Sequence, residues 1–328
     1  MRSPLFLIGC LVLAAATFAL GRILNNDYLF FAGYTVLQYI VLATGWNILG
    51  GYTGYVNFGS AAFFAIGAYT SVVLHKTISL PLPLMVIIGG LVAGLVGLGM
   101  GYLTLRLRGA FFAIGTLALS VVLQTIVVNW DFVGGSRGAY ILRPAAIEVA
   151  GVSLPYIQYL FVVMAVLAAA AVSAARAIER SRLGYGFATI RDDEAAAEAC
   201  GVPTLKLKLV ATVLSGALMG MAGAPLPYYI GYLQPASTFG LDYAINAIAM
   251  PMIGGTTSWA GPVIGAVLLG TLQQVATVTI SSVVNLLIVG MLLTGFVIVA
   301  PNGILGLLQK FRTSRIAVRS HPLLKGLR

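Results

Sequence analysis

Charge is what this sequence has least of. Of its 328 residues only 9% are Asp, Glu, Lys or Arg, against about 25% in a soluble globular domain. Too few polar residues remain to coat a water-facing surface, so a soluble enzyme is excluded. The 59% hydrophobic content and mean hydropathy of +0.98 exclude a disordered chain as well. Cysteine is almost absent: Cys10 and Cys200 make no pair or metal spacing, so neither a disulfide framework nor a zinc site follows. The two histidines, His75 and His321, sit at span ends with no carboxylate or thiol beside them. No Ser-His-Asp, HExxH or paired-carboxylate pattern lies within a span, and no GxxxxGK[ST] loop is present to hold ATP. All nine acids, among them Asp27, Asp131, Glu148 and Asp242, fall at span ends or in loops. A proton-driven carrier keeps an ionisable group inside its bundle. None is evident here, whereas sodium held by backbone carbonyls would leave no such mark and stays open.

Long uncharged runs are what the chain does have. Seven of them, at 3–21, 28–75, 77–105, 109–130, 149–175, 209–241 and 243–309, account for 245 of the 328 residues. Each is close to or above the ~20 residues that span a bilayer as a helix. Two spans in the 48-residue run and three in the 67-residue run give ten, near 4–21, 28–49, 55–75, 82–105, 110–130, 154–176, 208–230, 243–258, 262–280 and 282–300. The expectation is an all-α membrane protein, one transmembrane domain over 1–328. Arg2, the apolar Leu5–Leu20 and Ala19-Leu20-Gly21 imitate a cleaved signal, but removing that helix would upset the charge parity, so it is expected to stay.

The net charge of +10 would suggest nucleic acid in a soluble chain; here it follows span ends instead, and no nucleic-acid partner is expected. If every span crosses, 15 of the 19 Lys and Arg fall on one side. Arg22, Lys76, Arg137 and Arg143 fall on the other. Basic residues mark the cytoplasmic side, so both termini are expected in the cytoplasm, including a basic tail over 301–328.

Two spans are interrupted. Gly50-Gly51-Tyr52-Thr53-Gly54 breaks the 48-residue run, and from Tyr243 to Ile253 only eleven residues, Pro251 among them, precede Gly254-Gly255. Irregular backbone at membrane depth survives only against protein or a water-filled cavity, and paired interruptions in two halves point to a transport pathway. Asn47, Tyr52, Thr53, Tyr55 and Asn57, with Gly254 and Gly255, are therefore the candidate pathway residues. Residues 90–99 and 261–270 match at six of ten positions, which raises an internal two-half repeat, although glycine-rich membrane helices also resemble one another by packing need alone.

The segment 177–207 between the sixth and seventh spans is the longest charged loop. Ala188–Ala199 is rich in helix formers with acids early, and Gly201 and Pro203 stop it. Phe187, Ile190 and Ala197 share one face while Arg191, Asp192 and Glu198 point elsewhere. A short helix of mixed charge fixed between two spans suits docking on a soluble partner, or else is a solvated connector.

Ser181, Gly184, Ile190, Arg191, Asp192, Glu194, Ala196, Ala197, Gly201 and Val202 resemble the cytoplasmic loop of LivM-type permeases of branched-chain amino-acid ABC importers, with Tyr185-Gly186 where that family favours Arg-Ala. Asn47–Tyr69 resembles the family's amino-proximal stretch, with Asn57 in place of serine. Gly134-Gly135-Ser136 and Phe239–Ala266 resemble two further stretches, with Val133, Arg137, Ala244 and Pro251 as departures. The resemblance covers about residues 45–305 and implies a type II-like importer half in the inner membrane. It would pair with a second related permease, two cytoplasmic ATPase subunits and a periplasmic substrate-binding protein. Gly184, Ile190, Arg191, Asp192, Asp193, Glu194 and Gly201 would meet the ATPase. A neutral polar interior suits a small zwitterion with an apolar side chain. Urea, short amides or aromatic acids carried by the same machine, and a self-contained sodium-coupled carrier, are the alternatives. No cofactor and no catalytic residue are expected.

Overall fold

The computed structural model describes residues 3–78, 80–144, 146–149 and 152–279, with short pieces at 287, 290–291, 294–295 and 303–306. The expected span 282–300 and the basic tail lie almost wholly outside the described residues. The chain begins with five long helices: α1 (Ser3–Ile23), α2 (Asp27–Thr53), α3 (Ser60–Thr77), α4 (Leu82–Thr104) and α5 (Ala110–Val128). After short strands β1 (Ala139–Tyr140), β2 (Ala146–Val149) and β3 (Val152–Pro155) comes α6 (Tyr156–Glu179). Two short helices, α7 (Arg182–Asp192) and α8 (Glu194–Ala199), then lead into α9 (Thr204–Gly223) and α10 (Leu226–Ile230). Strand β4 (Tyr232–Leu233), α11 (Pro235–Thr238), α12 (Leu241–Gly254) and α13 (Ala260–Thr279) follow.

Among the described residues, seven segments are long and apolar enough to cross a membrane: α1, α2, α4, α5, α6, α9 continued through α10, and α13. Most boundaries follow local chemistry. The Asn26 side chain caps α2 by accepting from the Tyr28 amide at 3.0 Å, and Gly54, in left-handed conformation at φ 79°, ends it. Helix α12 has only 14 residues and continues past Pro251, which sits in its last turn, to end at Gly254. At about 21 Å it is shorter than the hydrocarbon core. The small strands pair β1 with β4 and β2 with β3, both antiparallel, and the Arg143 guanidinium donates to the Tyr228 and Tyr229 carbonyls beside them.

Helices α2 and α9 sit at the centre, α9 wedged between α3 and α4. Lipid tails are as apolar as leucine, so association in a membrane rests on close packing. Here the approach is between backbones. A Cβ on Gly67 of α3 would collide with the Gly220 carbonyl of α9, and one on Gly223 with the Phe64 carbonyl. Buried amides add to the seam: Gln38 Nε2 donates to the Ala222 carbonyl at 3.0 Å, and Gln273 Nε2 to Asn246 Oδ1 at 2.8 Å. Gly99 of α4, by contrast, has nothing within 4 Å of its Cβ position. Gly67→Leu is therefore expected to cost about 1–3 kcal/mol or more through overpacking, and Gly99→Leu close to nothing, as read by thermal unfolding of the detergent-solubilised protein.

Candidate coupling site at the two helix interruptions

Beyond Gly54 the chain runs irregularly to Ser60, and every partner it finds is protein. Trp46 Nε1 donates to the Asn57 carbonyl at 2.8 Å, Asn57 Oδ1 accepts from the Gly59 amide at 2.7 Å, and Thr116 Oγ1 accepts from the Phe58 amide at 3.2 Å. Asn57 thus builds the turn that starts α3. Thr53 Oγ1 donates back to the Leu49 carbonyl at 2.6 Å. Asn47, Tyr52, Thr53, Tyr55 and Asn57 are all buried.

The structure brings the two interruptions together. A Cβ on Gly51 would meet the Asn47 amide and fall 2.5 Å from the Thr256 carbonyl oxygen, so glycine is required for the two turns to touch. Gly255, at φ 117°, ends α12, and the glycine pair 254–255 packs on Gly261 of α13.

Helices α7 and α8 lie against the first of the two interruptions, at Gly54 and Tyr55. Ser181 caps α7, its Oγ accepting from the Gly184 amide at 3.4 Å and donating to the Ile178 carbonyl at 2.7 Å. Phe187, Ile190 and Ala197 are buried, as their shared face predicted, and the Arg191 side chain lies over Gly54. The single helix expected over 188–199 is two, because Asp193 leaves the helix at φ −159°, ψ 107°. There its side chain caps α8, accepting from the Ala196 amide at 3.0 Å. Such a cap competes with continuation of the helix. Gly201 supplies the left-handed turn at φ 82° into α9.

Arg191, Asp192, Asp193 and Glu198 are exposed on the outer side of this loop, while Glu194 turns inward. Its Oε1 takes a 2.6 Å ion pair from Lys208 Nζ, and its Oε2 a 2.5 Å hydrogen bond from the Tyr55 hydroxyl. Lys208 Nζ also reaches the Tyr55 hydroxyl at 3.1 Å and the Leu105 carbonyl at 3.3 Å, and Arg108 stands 3.9 Å from Glu194. The side chains of Lys208 and Glu194 are 4% and 14% exposed. Lys208 escapes sequence reasoning because Lys206, two residues earlier on α9, looks the same and is exposed. Only the helical turn between them sends one inward.

Burial would raise the Glu194 carboxyl, but hydrogen bonds from Lys208 and Tyr55 and the charges of Lys208 and Arg108 outweigh it and hold it below the usual carboxylate range. A depressed folded-state pKa gives stability that is present above the unfolded value and lost as pH falls through the folded one. Docking of α7–α8 is therefore expected to loosen only in acid, below the ordinary glutamate range. At neutral pH, Lys208→Met strands the Glu194 charge and is expected to cost about 3 kcal/mol. The double variant Lys208→Met/Glu194→Gln should recover most of that. Protease cleavage at Arg191, read against pH and variant, measures both.

The family model described as branched-chain amino acid transport system, permease component, matches residues 28–300. The high-affinity branched-chain amino acid transport system permease protein LivM of Escherichia coli is 28% identical over 291 residues, covering 82% of this chain and 67% of the relative. A probable branched-chain amino acid transport permease protein LivH of Methanocaldococcus jannaschii is 23% identical, over 81% of this chain and 88% of its own. BraD of Pseudomonas aeruginosa is also 23% identical, over 82% and 91%. No solved structure matches the chain. A family model covering residues 28–300, over a buried-helix bundle carrying a docked α7–α8 pair, establishes that this chain belongs to the branched-chain amino acid transport permease component family.

Proposed function

We propose that this chain is one membrane subunit of an ABC importer for branched-chain or other hydrophobic amino acids. It pairs with a second related permease, rests on two cytoplasmic ATPase subunits and receives substrate from a periplasmic binding protein. The protein lies in the inner membrane as one domain over 1–328, with ten spans in two related halves and both termini in the cytoplasm. The observation that carries this reading is the α7–α8 pair. Its apolar face is buried against the end of α2 at the first interruption, beside Ile48, Leu49, Tyr52 and Tyr55, and Arg191, Asp192, Asp193 and Glu198 are left facing outward. A motor subunit held by that outer face would push directly on Gly54 through Arg191 and on Tyr55 through Glu194. The pathway opens where the interruptions meet, at Asn47, Tyr52, Thr53, Tyr55, Asn57, Gly254 and Gly255.

The test is uptake of radiolabelled leucine into vesicles holding the permease pair, its ATPases and the binding protein. Uptake is expected to require ATP and to survive collapse of proton and sodium gradients. Uptake by the permease alone on a sodium gradient would reassign it as a secondary carrier. Transport of urea or a short amide but not leucine would move the cargo within the same machine. Asp192→Arg, on the exposed face, should lower ATPase stimulation about tenfold by setting like charges against the partner, while the permease still inserts and melts close to wild type.

A further inference from the structure

Glu179, the last residue of α6, belongs to neither the candidate pathway nor the outer face of the coupling loop. A carboxylate there opposes the negative end of its own helix dipole, so its position needs another partner. That partner is the start of α13: Glu179 Oε2 accepts from the Trp259 backbone amide at 2.6 Å, one residue before α13 begins. The same oxygen lies 3.5 Å from the Tyr52 hydroxyl, which also reaches the Ala175 carbonyl at 3.4 Å. One carboxylate thus touches the ends of both interruptions.

Its surroundings are stiff. The Trp259 ring meets Phe6 edge to face at 4.8 Å, and the Arg176 guanidinium lies over both rings, 4.0 Å from the Phe6 centroid and 5.4 Å from that of Trp259. On the other side, α7 is pressed on the end of α6. A Cβ at Gly184 would collide with the Ile178 carbonyl and fall 2.8 Å from that of Glu179. Displacement of α7 therefore carries the Glu179 backbone with it.

We infer that Glu179 is a positioning residue that links movement of α7–α8 to the 254–259 turn, by holding the Trp259 amide and the Tyr52 hydroxyl on one carboxylate. The inference rests on the importer reading and adds to it the connection between the coupling helices and the second interruption. What matters is the acceptor oxygen. Glu179→Gln keeps one, and Glu179→Ala removes it while leaving the outer face of α7–α8 untouched.

The experiment measures ATP hydrolysis and leucine uptake together in vesicles containing the whole complex. Glu179→Ala is expected to hydrolyse ATP at near the wild-type rate but to lower leucine taken up per ATP about tenfold, the scale of a lost charged hydrogen bond. Glu179→Gln should restore at least half of the wild-type ratio. An unchanged ratio in Glu179→Ala, or Glu179→Gln failing as badly as Glu179→Ala, overturns the inference. A second measurement does not depend on the variants folding: spin labels replace the exposed Thr189 on α7 and Thr257 in the turn, with Cys10 and Cys200 changed to serine. In the otherwise wild-type complex both labels should shift together between the ATP-bound and nucleotide-free states. Movement at Thr189 with Thr257 still overturns the link. A complex without Glu179 substitutions that hydrolyses ATP and takes up neither leucine nor urea nor a short amide overturns the importer reading, and this inference with it.

Discussion

A chain that leaves the helix inside a bilayer must satisfy its freed amides and carbonyls from protein, because hydrocarbon offers none. The region around Gly54–Ser60 meets that demand with a tryptophan, an asparagine and a threonine drawn from α2, the turn itself and α5. The rest of the site depends on this solution. Held by these three bonds, the turn carries Arg191 resting on Gly54 and Glu194 reaching Tyr55. With a glycine at 51, it also approaches the second turn to the contact distance of bare backbone. Two breaks far apart in sequence become one structural element.

The polar groups around that element divide by depth. Deep in the bundle they are neutral and serve packing, as with Gln38 on Ala222 and Gln273 on Asn246. Toward the charged loop they become ionic and tie elements together: Lys208 to Glu194, and Arg176 to two aromatic rings. This gradient follows from cost. A charge in the middle of the bilayer is expensive, whereas at its edge an ion pair with added hydrogen bonds holds its place. Mechanical connections are accordingly concentrated at the end where an external motor would push.

Much of this was legible in the sequence where a pattern repeats or a run is long. Uncharged stretches marked the helices, and the face shared by Phe187, Ile190 and Ala197 marked how the loop docks. The first break was expected at Gly50–Gly54, but α2 continues to Thr53 and the chain leaves the helix only at Gly54. The meeting of the two breaks was not visible, since contact between Gly51 and Thr256 depends on the path of α2 and α12 through the whole bundle. Lys208 and Glu179 were equally hidden. Each is an ordinary charged residue at a span end, and only the rotation of its helix turns it toward Glu194 or Trp259. Asp193 was misjudged within a helix because propensity summed over twelve residues outweighs one side chain, whereas locally that side chain caps α8 and ends α7.

The burial of Lys208 has a consequence for ionic strength. Salt screens exposed charges over about 8–10 Å at ordinary concentrations and buried pairs far less. The Lys208–Glu194 pair, with the lysine side chain only 4% exposed, belongs to the second kind. Arg191, Asp192 and Glu198 belong to the first. Rising salt will therefore weaken whatever holds the outer face of α7–α8 well before it loosens the hold of those helices on their own membrane core. Of the two faces of α7–α8, the exposed one answers to salt first and the one packed on the bundle last.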